Sequence, residues 1–421
     1  MILGSEQFGV AAHGHRRVVR RAESGIERRD APHEKSRREW WPLLYSAARE
    51  ESNMLTSGDD FPFHQSAEPI AYPATSDPNF YDRYFFNGYA ADLSLFFALA
   101  LGIYPNRRVM DAAFSAVAGN RQWIVHSSRV MADGERLPLR VGPIQIDIVE
   151  PLRTLAVRVD PNPYGLHAHL RFERRALPIE EPRFQRRTGS RLWMDYTRLT
   201  QHGRWRGELS IDGQRLSLDP QQCLGSRDRS WGVRPLGEPE GGLPFAKPQF
   251  FWLWAPLHLP DRCLHFSVSE EPDGRRWHEM GAILPSLDGS SASAEPRDAK
   301  VGYALRFVPG TRWISWAQLT FSHPESDTRT VVELEPRLRF LMAGLGYGHP
   351  QWGHGRYQGE EVTSGELWDI GAADPTAPIY LHVQNLCHAR CGEETGVGVL
   401  EQLILGPHAP TGFRELLDMA K

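Results

Sequence analysis

The sequence predicts an all-β protein built from two antiparallel β-sandwich or β-barrel domains. Short apolar runs follow one another along the chain, and turn-forming residues separate them at intervals of roughly 8–14 residues. Within several runs apolar and polar residues alternate, which is the period of a strand with one buried face. The pattern contains no rhythm of strands and helices, and no glycine motif of a dinucleotide or phosphate loop.

The first half of the chain contains the clearest strand signals. Ile144, Ile146 and Ile148 alternate with polar residues, and Asp212-Gly213 stands between two apolar pairs, which is a strong hairpin signal. The other strands predicted in this half cover residues 93–103, 109–117, 122–131 and 155–159. We therefore expect residues 60–235 to form the first β domain.

The second half repeats this pattern. Phe250, Trp252 and Trp254 share one face of a strand predicted at residues 249–258. Further strands are predicted at residues 264–268, 277–284, 301–308, 312–321, 329–340, 356–370, 378–389 and 394–405. Residues 237–248 contain three glycines and three prolines and are the predicted linker. The second β domain should then cover residues 245–421.

Residues 1–39 differ in composition from the rest of the chain. They contain four Arg-Arg pairs, interleaved acidic residues and few apolar anchors. This composition predicts a disordered or poorly ordered extension. The alternatives are a nucleic-acid-binding arm and a translation start placed upstream of the native one.

Composition and charge exclude several classes of protein. Hydrophobic residues make up 41% and charged residues 24% of the chain, which indicates a globular protein. The net charge of −4 gives no general attraction to nucleic acid or anionic lipid. The longest apolar run, residues 93–103, is too short to span a membrane, and no secretory signal is visible. Four scattered cysteines do not form a disulfide framework, so we expect a soluble, cytoplasmic protein without stable membrane insertion.

The most informative segment lies near the middle of the chain. It reads Gly225-Ser226-Arg227-Asp228-Arg229-Ser230-Trp231-Gly232. In an extended segment Asp228 and Ser230 share one face. The two arginines and Trp231 share the other face. A carboxylate could then point into an interior, while the structural alternative is a solvated loop with an internal ion pair.

This segment resembles the Asp-His-Asn-Trp-Gly-like signature of the carotenoid 1,2-hydratase and AttH-like family. Three other segments look like an uncharacterised bacterial branch of that family: residues 84–89, 349–355 and 399–402. The resemblance covers residues 60 to 421 and implies two lipocalin-like β-barrel domains packed side by side. It also implies a bulky apolar substrate, such as an isoprenoid, and assigns the role of acid to Asp228. Ser226 stands where those hydratases have a tyrosine.

The aromatic residues around the motif predict a hydrophobic binding cavity. A carboxyl at the mouth of such a cavity would be desolvated, and its raised pKa would make Asp228 a usable general acid. Indole faces would stabilise a cation formed by protonating an alkene. Arg227 and Arg229 oppose this role if they share the face of Asp228, because a guanidinium lowers the pKa of a carboxyl. The candidate ligand-binding residues are Trp231, Phe250, Trp252, Trp254, Arg229, Trp352 and Tyr357.

Two further clusters contain histidines. His349 and His354 stand in a Gly/Pro-rich loop, followed by Glu360 and Glu361, and could supply acid, base or polar ligand contacts. We expect this loop, residues 346–357, to close one side of the cavity that contains Asp228. A metal site and a plain surface turn are the alternatives. The second cluster, His382, Cys387, His388 and Cys391, could bind zinc, although buried cysteines are commonly structural.

Two functions from different classes remain open at this point. The first is a cofactor-independent enzyme that hydrates, dehydrates or cyclises a bulky hydrophobic substrate, with Asp228, His349 and His354 as candidate catalytic residues and no metal. The second is a lipocalin-like carrier of a hydrophobic small molecule. The state of Asp228 discriminates between them. A carrier would pair it with Arg227 or Arg229, and an enzyme would leave it facing open volume.

Overall fold

The computed structural model describes residues 55–62, 67–131, 135–236, 248–288, 295–323 and 328–421. These residues form two antiparallel, nearly closed barrel sheets, and none of them lies in an α-helix. The predicted all-β class with two β-barrels is confirmed. The predicted extension, residues 1–39, and nearly all of the predicted linker lie outside the described residues. The proposed division into domains at residues 60–235 and 245–421 therefore stays a prediction.

The first half of the chain supplies twelve strands, all of which belong to the first sheet. They are β1 (Phe80–Ala90), β2 (Leu95–Tyr104), β3 (Val109–Ala118), β4 (Arg121–Val130), β5 (Arg140–Val141), β6 (Ile144–Glu150), β7 (Thr154–Val159), β8 (Leu166–Arg174), β9 (Ile179–Thr188), β10 (Arg191–Ile211), β11 (Gln214–Leu218) and β12 (Cys223–Val233). The centre of the sheet has β12 between β1 and β10. The Asp212-Gly213 hairpin joins β10 to β11, as predicted.

The second half supplies ten strands. They are β13 (Phe250–His258), β14 (Arg262–Glu270), β15 (Arg276–Pro285), β16 (Arg297–Asp298), β17 (Lys300–Phe307), β18 (Ile314–Ser322), β19 (Arg329–Leu341), β20 (Glu361–Asp369), β21 (His382–Cys391) and β22 (Glu394–Leu405). Nine of them form the second sheet, in the order β16-β15-β14-β13-β22-β21-β19-β18-β17. The exception is β20, which pairs with β4 at the edge of the first sheet.

Short 3₁₀ turns complete the described secondary structure. They cover Ser57–Asp60, Pro105–Arg107, Met342–Leu345, Ile370–Ala372, Pro378–Tyr380 and Ala409–Thr411. None of the described helical segments is long and apolar enough to cross a membrane.

Three apolar cores explain why the central strands are buried on both faces. One core fills the interior of the first barrel, and another fills the interior of the second barrel. The third lies where the two sheets face each other. Strand β1 contributes to two of them. Tyr84 and Phe86 point into the first barrel, whereas Tyr81, Phe85 and Tyr89 point toward the second sheet. Alternate side chains of one strand therefore serve a barrel interior and the contact between the sheets.

Candidate active site

A cavity of about 300 Å³ lies where the two sheets face each other. Its size is at the lower end of the range that binds small organic molecules. Both sheets contribute side chains, and a loop after β19 contributes more. The described lining residues are Phe85, Phe184, Trp193, Met194, Tyr196, Arg198, Asp228, Arg234, Pro235, Leu236, Phe250, Trp252, Ser269, Trp277, Tyr347, Gly348, His354, His382, Glu401 and Leu403. The wall is thus rich in aromatic side chains, and it also contains two acids, two arginines and two histidines.

Asp228 enters this cavity from the middle of β12. Its neighbours across the sheet are Phe85 on β1 and Thr200 on β10. Within the described residues its carboxylate forms no hydrogen bond and no salt bridge, and part of its surface is exposed to the cavity. Burial raises the pKa of the Asp228 carboxyl to about 6, and the charges of Arg198 and Arg83 oppose that shift only in part.

The two arginines that flank Asp228 point to the opposite face of β12. Arg227 binds Asp60 with two nitrogens, at 2.7 and 3.2 Å, and donates from Nε to Gln201. Arg229 lies 2.6 Å from a carboxylate oxygen of Asp82. The pairing with Asp228 that the structural alternative requires is therefore absent, because each arginine has a different carboxylate on its own face.

A second acidic group in the cavity belongs to a His–Glu pair on β21 and β22. His382 Nε2 lies 2.6 Å from Glu401 Oε1, and Gln384 donates to the other oxygen of Glu401 at 2.7 Å. Burial alone would raise the pKa of Glu401. The hydrogen bond from His382, together with the positive charge that His382 carries when protonated, brings that pKa below its usual value. The carboxylate therefore holds the ring of His382. His382 Nδ1 forms no hydrogen bond within the described residues.

Sequence reasoning did not find this pair. It placed His382 with Cys387 in a possible zinc cluster, and it noted Glu401 only within a segment of family resemblance. In β21 the residues alternate, so His382 faces the cavity while Cys387 packs in the interior of the second barrel. The two side chains therefore cannot bind one ion. The signal that could have found the pair is the polar run His382, Gln384 and Glu401 on two adjacent apolar strands.

His354 is the one predicted loop histidine that lines the cavity. It is buried, and the edge of its ring contacts Tyr347, with the ring centres 4.7 Å apart. Burial, together with the nearby Arg83 and Arg234, holds the pKa of His354 well below its usual value. The imidazole therefore stays neutral and does not take up a proton near neutral pH.

The structure places His349 outside the cavity lining. Its Nε2 lies 3.0 Å from Glu366 of β20, and its Nδ1 accepts hydrogen bonds from the backbone N–H groups of Gln351 and Trp352. The loop spacing allowed either histidine to point inward, and these bonds direct His349 toward β20. His349 thus connects the loop to the edge strand of the first sheet.

His126, His349 and Glu366 are close enough to suggest a metal site. Their ligand atoms lie within 4.8 Å of one another, and His126 Nε2 is buried without a hydrogen-bond partner. The hydrogen bonds that His349 forms are not those of a histidine that binds a metal ion. Because Nδ1 accepts two N–H donors, the ring proton must be on Nε2, which is the atom that would have to bind the ion. Metal-binding histidines instead donate a proton from their other nitrogen.

The seven predicted ligand residues divide into three groups. Phe250 and Trp252 line the cavity. Trp254 is buried beside it and donates to Glu181 at 3.3 Å. The other four, Arg229, Trp231, Trp352 and Tyr357, are not among the described lining residues. Arg229 and Trp231 face away because they lie on the opposite side of β12 from Asp228.

Trp352 and Tyr357 are held in the loop that follows β19. The indole of Trp352 stacks on His126, with the ring centres 5.2 Å apart and the planes 3° from parallel. Tyr357 is 65% exposed. The predicted loop therefore contributes to the cavity only through its first residues and His354.

Comparison with known proteins identifies a family. Residues 55–414 match the sequence model of a family described as a family of unknown function (DUF8625). The chain belongs to this family. No curated protein matches the DUF8625 chain.

Solved structures resemble the DUF8625 chain only distantly. Kievitone hydratase from Nectria haematococca shares 12% identity, and the match covers 82% of this chain and 98% of that one, with a TM-score of 0.45. A putative AttH from Nitrosomonas europaea shares 11% identity over 81% of this chain and 98% of its own, with a TM-score of 0.48. CghA with Sch210972 shares 13% identity, and the match covers 78% of this chain and 89% of that one, with a TM-score of 0.47. At these levels the likeness carries no conclusion about activity.

Proposed function

We propose that this protein is a cofactor-independent enzyme that hydrates, dehydrates or cyclises a hydrophobic small molecule, with Asp228 as the general acid. The observation that carries the proposal is the isolation of Asp228. Its carboxyl faces open volume, and both neighbouring arginines are paired elsewhere. A raised pKa, to about 6, keeps a useful fraction of the group protonated near neutral pH.

The aromatic wall fits a reaction that passes through positive charge. Protonation of a carbon–carbon double bond by Asp228 would leave a cation in the substrate. Phe85 and Phe250 line the same cavity with no guanidinium over their rings among the described residues, and aromatic faces attract cations by about 0.5–2 kcal/mol each. The apolar wall also excludes bulk water, so only a positioned water or an internal nucleophile would reach the cation.

His382 is the best placed base for the second half of such a reaction. Glu401 holds its Nε2–H, which leaves the lone pair of Nδ1 available to a water or to a substrate proton. In hydration, His382 would take a proton from the attacking water. In dehydration, Asp228 would instead protonate the hydroxyl, which leaves as water, and His382 would remove a proton from the carbon next to the resulting cation. In cyclisation, a second double bond of the substrate would attack the cation and form the new carbon–carbon bond, and His382 would then remove a proton next to the cation that results. In each case Asp228 gives one proton and His382 takes one, so the reaction causes no net change in the number of protons on the protein.

The resemblance of residues 225–232 to the carotenoid 1,2-hydratase and AttH-like family supports the same role for Asp228. The alternative of a hydrophobic carrier remains as a competing outcome. A carrier of a hydrophobic molecule has no use for a carboxyl that faces the cavity without a hydrogen-bond partner among the described residues, because burying such a polar group costs free energy.

The test uses solvent isotope labelling, because it does not require the substrate to be known in advance. The full chain is incubated in D₂O with a panel of isoprenoid and other polyene alkenes, and products are analysed by mass spectrometry. Protonation of a carbon by Asp228 leaves one deuterium on the product. Asp228→Asn should lower turnover by about 10²–10⁴-fold. Asp147→Asn is the matched control, because that carboxylate is on the surface.

Each outcome decides between the two functions. Product with carbon-bound deuterium from the native protein, lost in Asp228→Asn and kept in Asp147→Asn, supports the proposal. Equal turnover by Asp228→Asn would remove the acid role. A compound that co-purifies unchanged, and that the native protein and Asp228→Asn bind equally, would establish the carrier instead.

A further inference from the structure

Two arginines beside the cavity lack a carboxylate partner among the residues that the structure describes. Arg234 lines the cavity just after β12, and its guanidinium carbon lies 4.8 Å from the ring centre of Tyr81 and 5.9 Å from that of Tyr347. The guanidinium carbon of Arg83, on β1, lies 4.4 Å from the ring centre of Tyr347. None of the three guanidinium nitrogens of Arg83 has a hydrogen-bond partner, and neither does Arg234 Nε. Neither arginine forms a salt bridge within the described residues.

Other charged groups of the cavity have hydrogen-bond or ion-pair partners of their own. Arg198 lies 3.8 Å from the buried carboxylate of Glu181, and Glu401 is bonded to His382. Asp111 is also near Arg83, but its oxygens accept the N–H of Gly355 and the hydroxyl of Tyr104. Asp111 therefore supplies a negative charge near Arg83, whereas Arg234 has no carboxylate within salt-bridge distance among the described residues.

A guanidinium nitrogen that is buried without a hydrogen-bond partner, such as Arg234 Nε, is unfavourable in an empty cavity. A guanidinium keeps its charge at all working pH values, so it cannot relieve the cost by losing a proton. Contacts with the tyrosine rings offset only part of the lost hydration. Nearly all buried polar groups in native proteins are hydrogen-bonded, so an ordered water, an ion or a ligand group completes such nitrogens.

We propose that the substrate carries a single oxyanion head group, such as a carboxylate, which binds Arg234 beside Tyr81 and Tyr347. Arg83, whose guanidinium carbon lies 4.4 Å from the centre of the Tyr347 ring, adds positive charge near the head group. The apolar body of the substrate lies against the aromatic wall that includes Trp252 and Trp277. This inference rests on the proposed function and deepens it, because it makes the substrate an amphipathic acid in place of a neutral hydrocarbon.

The test compares two fluorescent probes that differ only in charge. 1-Anilinonaphthalene-8-sulfonate has an apolar ring system with one sulfonate, and N-phenyl-1-naphthylamine has the same ring system without it. The full-length native protein is titrated with each probe, and the stoichiometry is measured. We expect one site that binds the sulfonate at least about ten-fold more tightly, since a charge-assisted hydrogen bond gives at least that factor.

Variants then test whether Arg234 causes the tighter binding of the sulfonate probe. Arg234→Gln should reduce the affinity for the sulfonate to about that for the neutral probe, while binding of the neutral probe changes little. Arg215→Gln is the matched control, because Arg215 is exposed on β11. Arg234→Lys, which keeps the charge, should retain most of the preference. If Arg234→Gln does not fold, the comparison of probes on the native protein still decides.

Contradicting results are equally clear. Equal affinities of the native protein for the two probes, or an Arg234→Gln variant that binds like Arg215→Gln, would overturn the inference. Inorganic phosphate and acetate, added at equal concentrations, show by competition which oxyanion the subsite prefers. These readouts measure binding only. They stand or fall independently of the deuterium experiment on Asp228.

Discussion

Replacing Asp228 with asparagine should make the protein more stable at neutral and alkaline pH. The pKa of the carboxyl is about 6 in the folded protein and close to 3.8 in an unfolded chain. Because the folded value is higher, the folded state binds the proton more tightly. The contribution of Asp228 to stability is therefore greatest at low pH and falls as pH rises from about 4 through about 6.

The magnitude follows from the difference between the two pKa values. One pKa unit corresponds to 1.36 kcal/mol, so the ionised carboxylate costs at most about 3 kcal/mol above pH 7. The group faces a cavity with room for water, so solvation there reduces the cost. We expect Asp228→Asn to raise the free energy of unfolding by about 1–3 kcal/mol at pH 8 and by much less at pH 4.

The assay is urea denaturation of the native protein and Asp228→Asn at both pH values. Comparing the two proteins removes the contributions of all other titrating groups, and Asp147→Asn controls for the loss of a surface charge. A variant that is less stable than the native protein at pH 8 would refute the reasoning. A stability difference that is independent of pH would also refute it, because it would show that the carboxyl keeps its ordinary pKa in the fold.

Two other variants test the groups around Asp228. Asp60→Asn should destabilise the protein by about 3–5 kcal/mol in the same urea assay, because it leaves the buried Arg227 without its charge partner; a loss below 1 kcal/mol would show that the pair is not a main support of β12. Glu401→Gln should lower kcat by about 10²-fold with KM changed less than about three-fold, since it removes the group that orients His382; a raised KM with an unchanged kcat would assign Glu401 to substrate binding.

The sequence was sufficient to predict the face of β12 on which Asp228 lies. Alternation along a strand depends only on neighbouring residues, so the separation of Asp228 from Arg227 and Arg229 could be predicted locally. The partners of the arginines could not. Asp60 and Asp82 are far from them in sequence, and only the assembled sheet brings each to its arginine. The choice between an ion pair and a free acid therefore remained open until the fold was known.

The histidines show a second limit of sequence reasoning. His349 and His354 lie five residues apart in a loop, where no fixed period relates spacing to direction. One of them reaches the cavity, and the other contacts Glu366 on β20. His382 and Glu401 are on paired strands of the second sheet, so their contact depends on the register of that hairpin. Register is set by packing along the whole strand.

The register of β12 connects the stability of the protein to its proposed chemistry. A shift by one residue would exchange the two faces of the strand. Asp228 would then enter the first barrel beside Asp60 and Asp82, and Arg227 and Arg229 would enter the cavity without partners. Both changes place buried charge in an unfavourable position, so the shifted state is strongly disfavoured. The two buried salt bridges thus specify the arrangement in which a single acid, free of any partner among the described residues, faces the aromatic cavity.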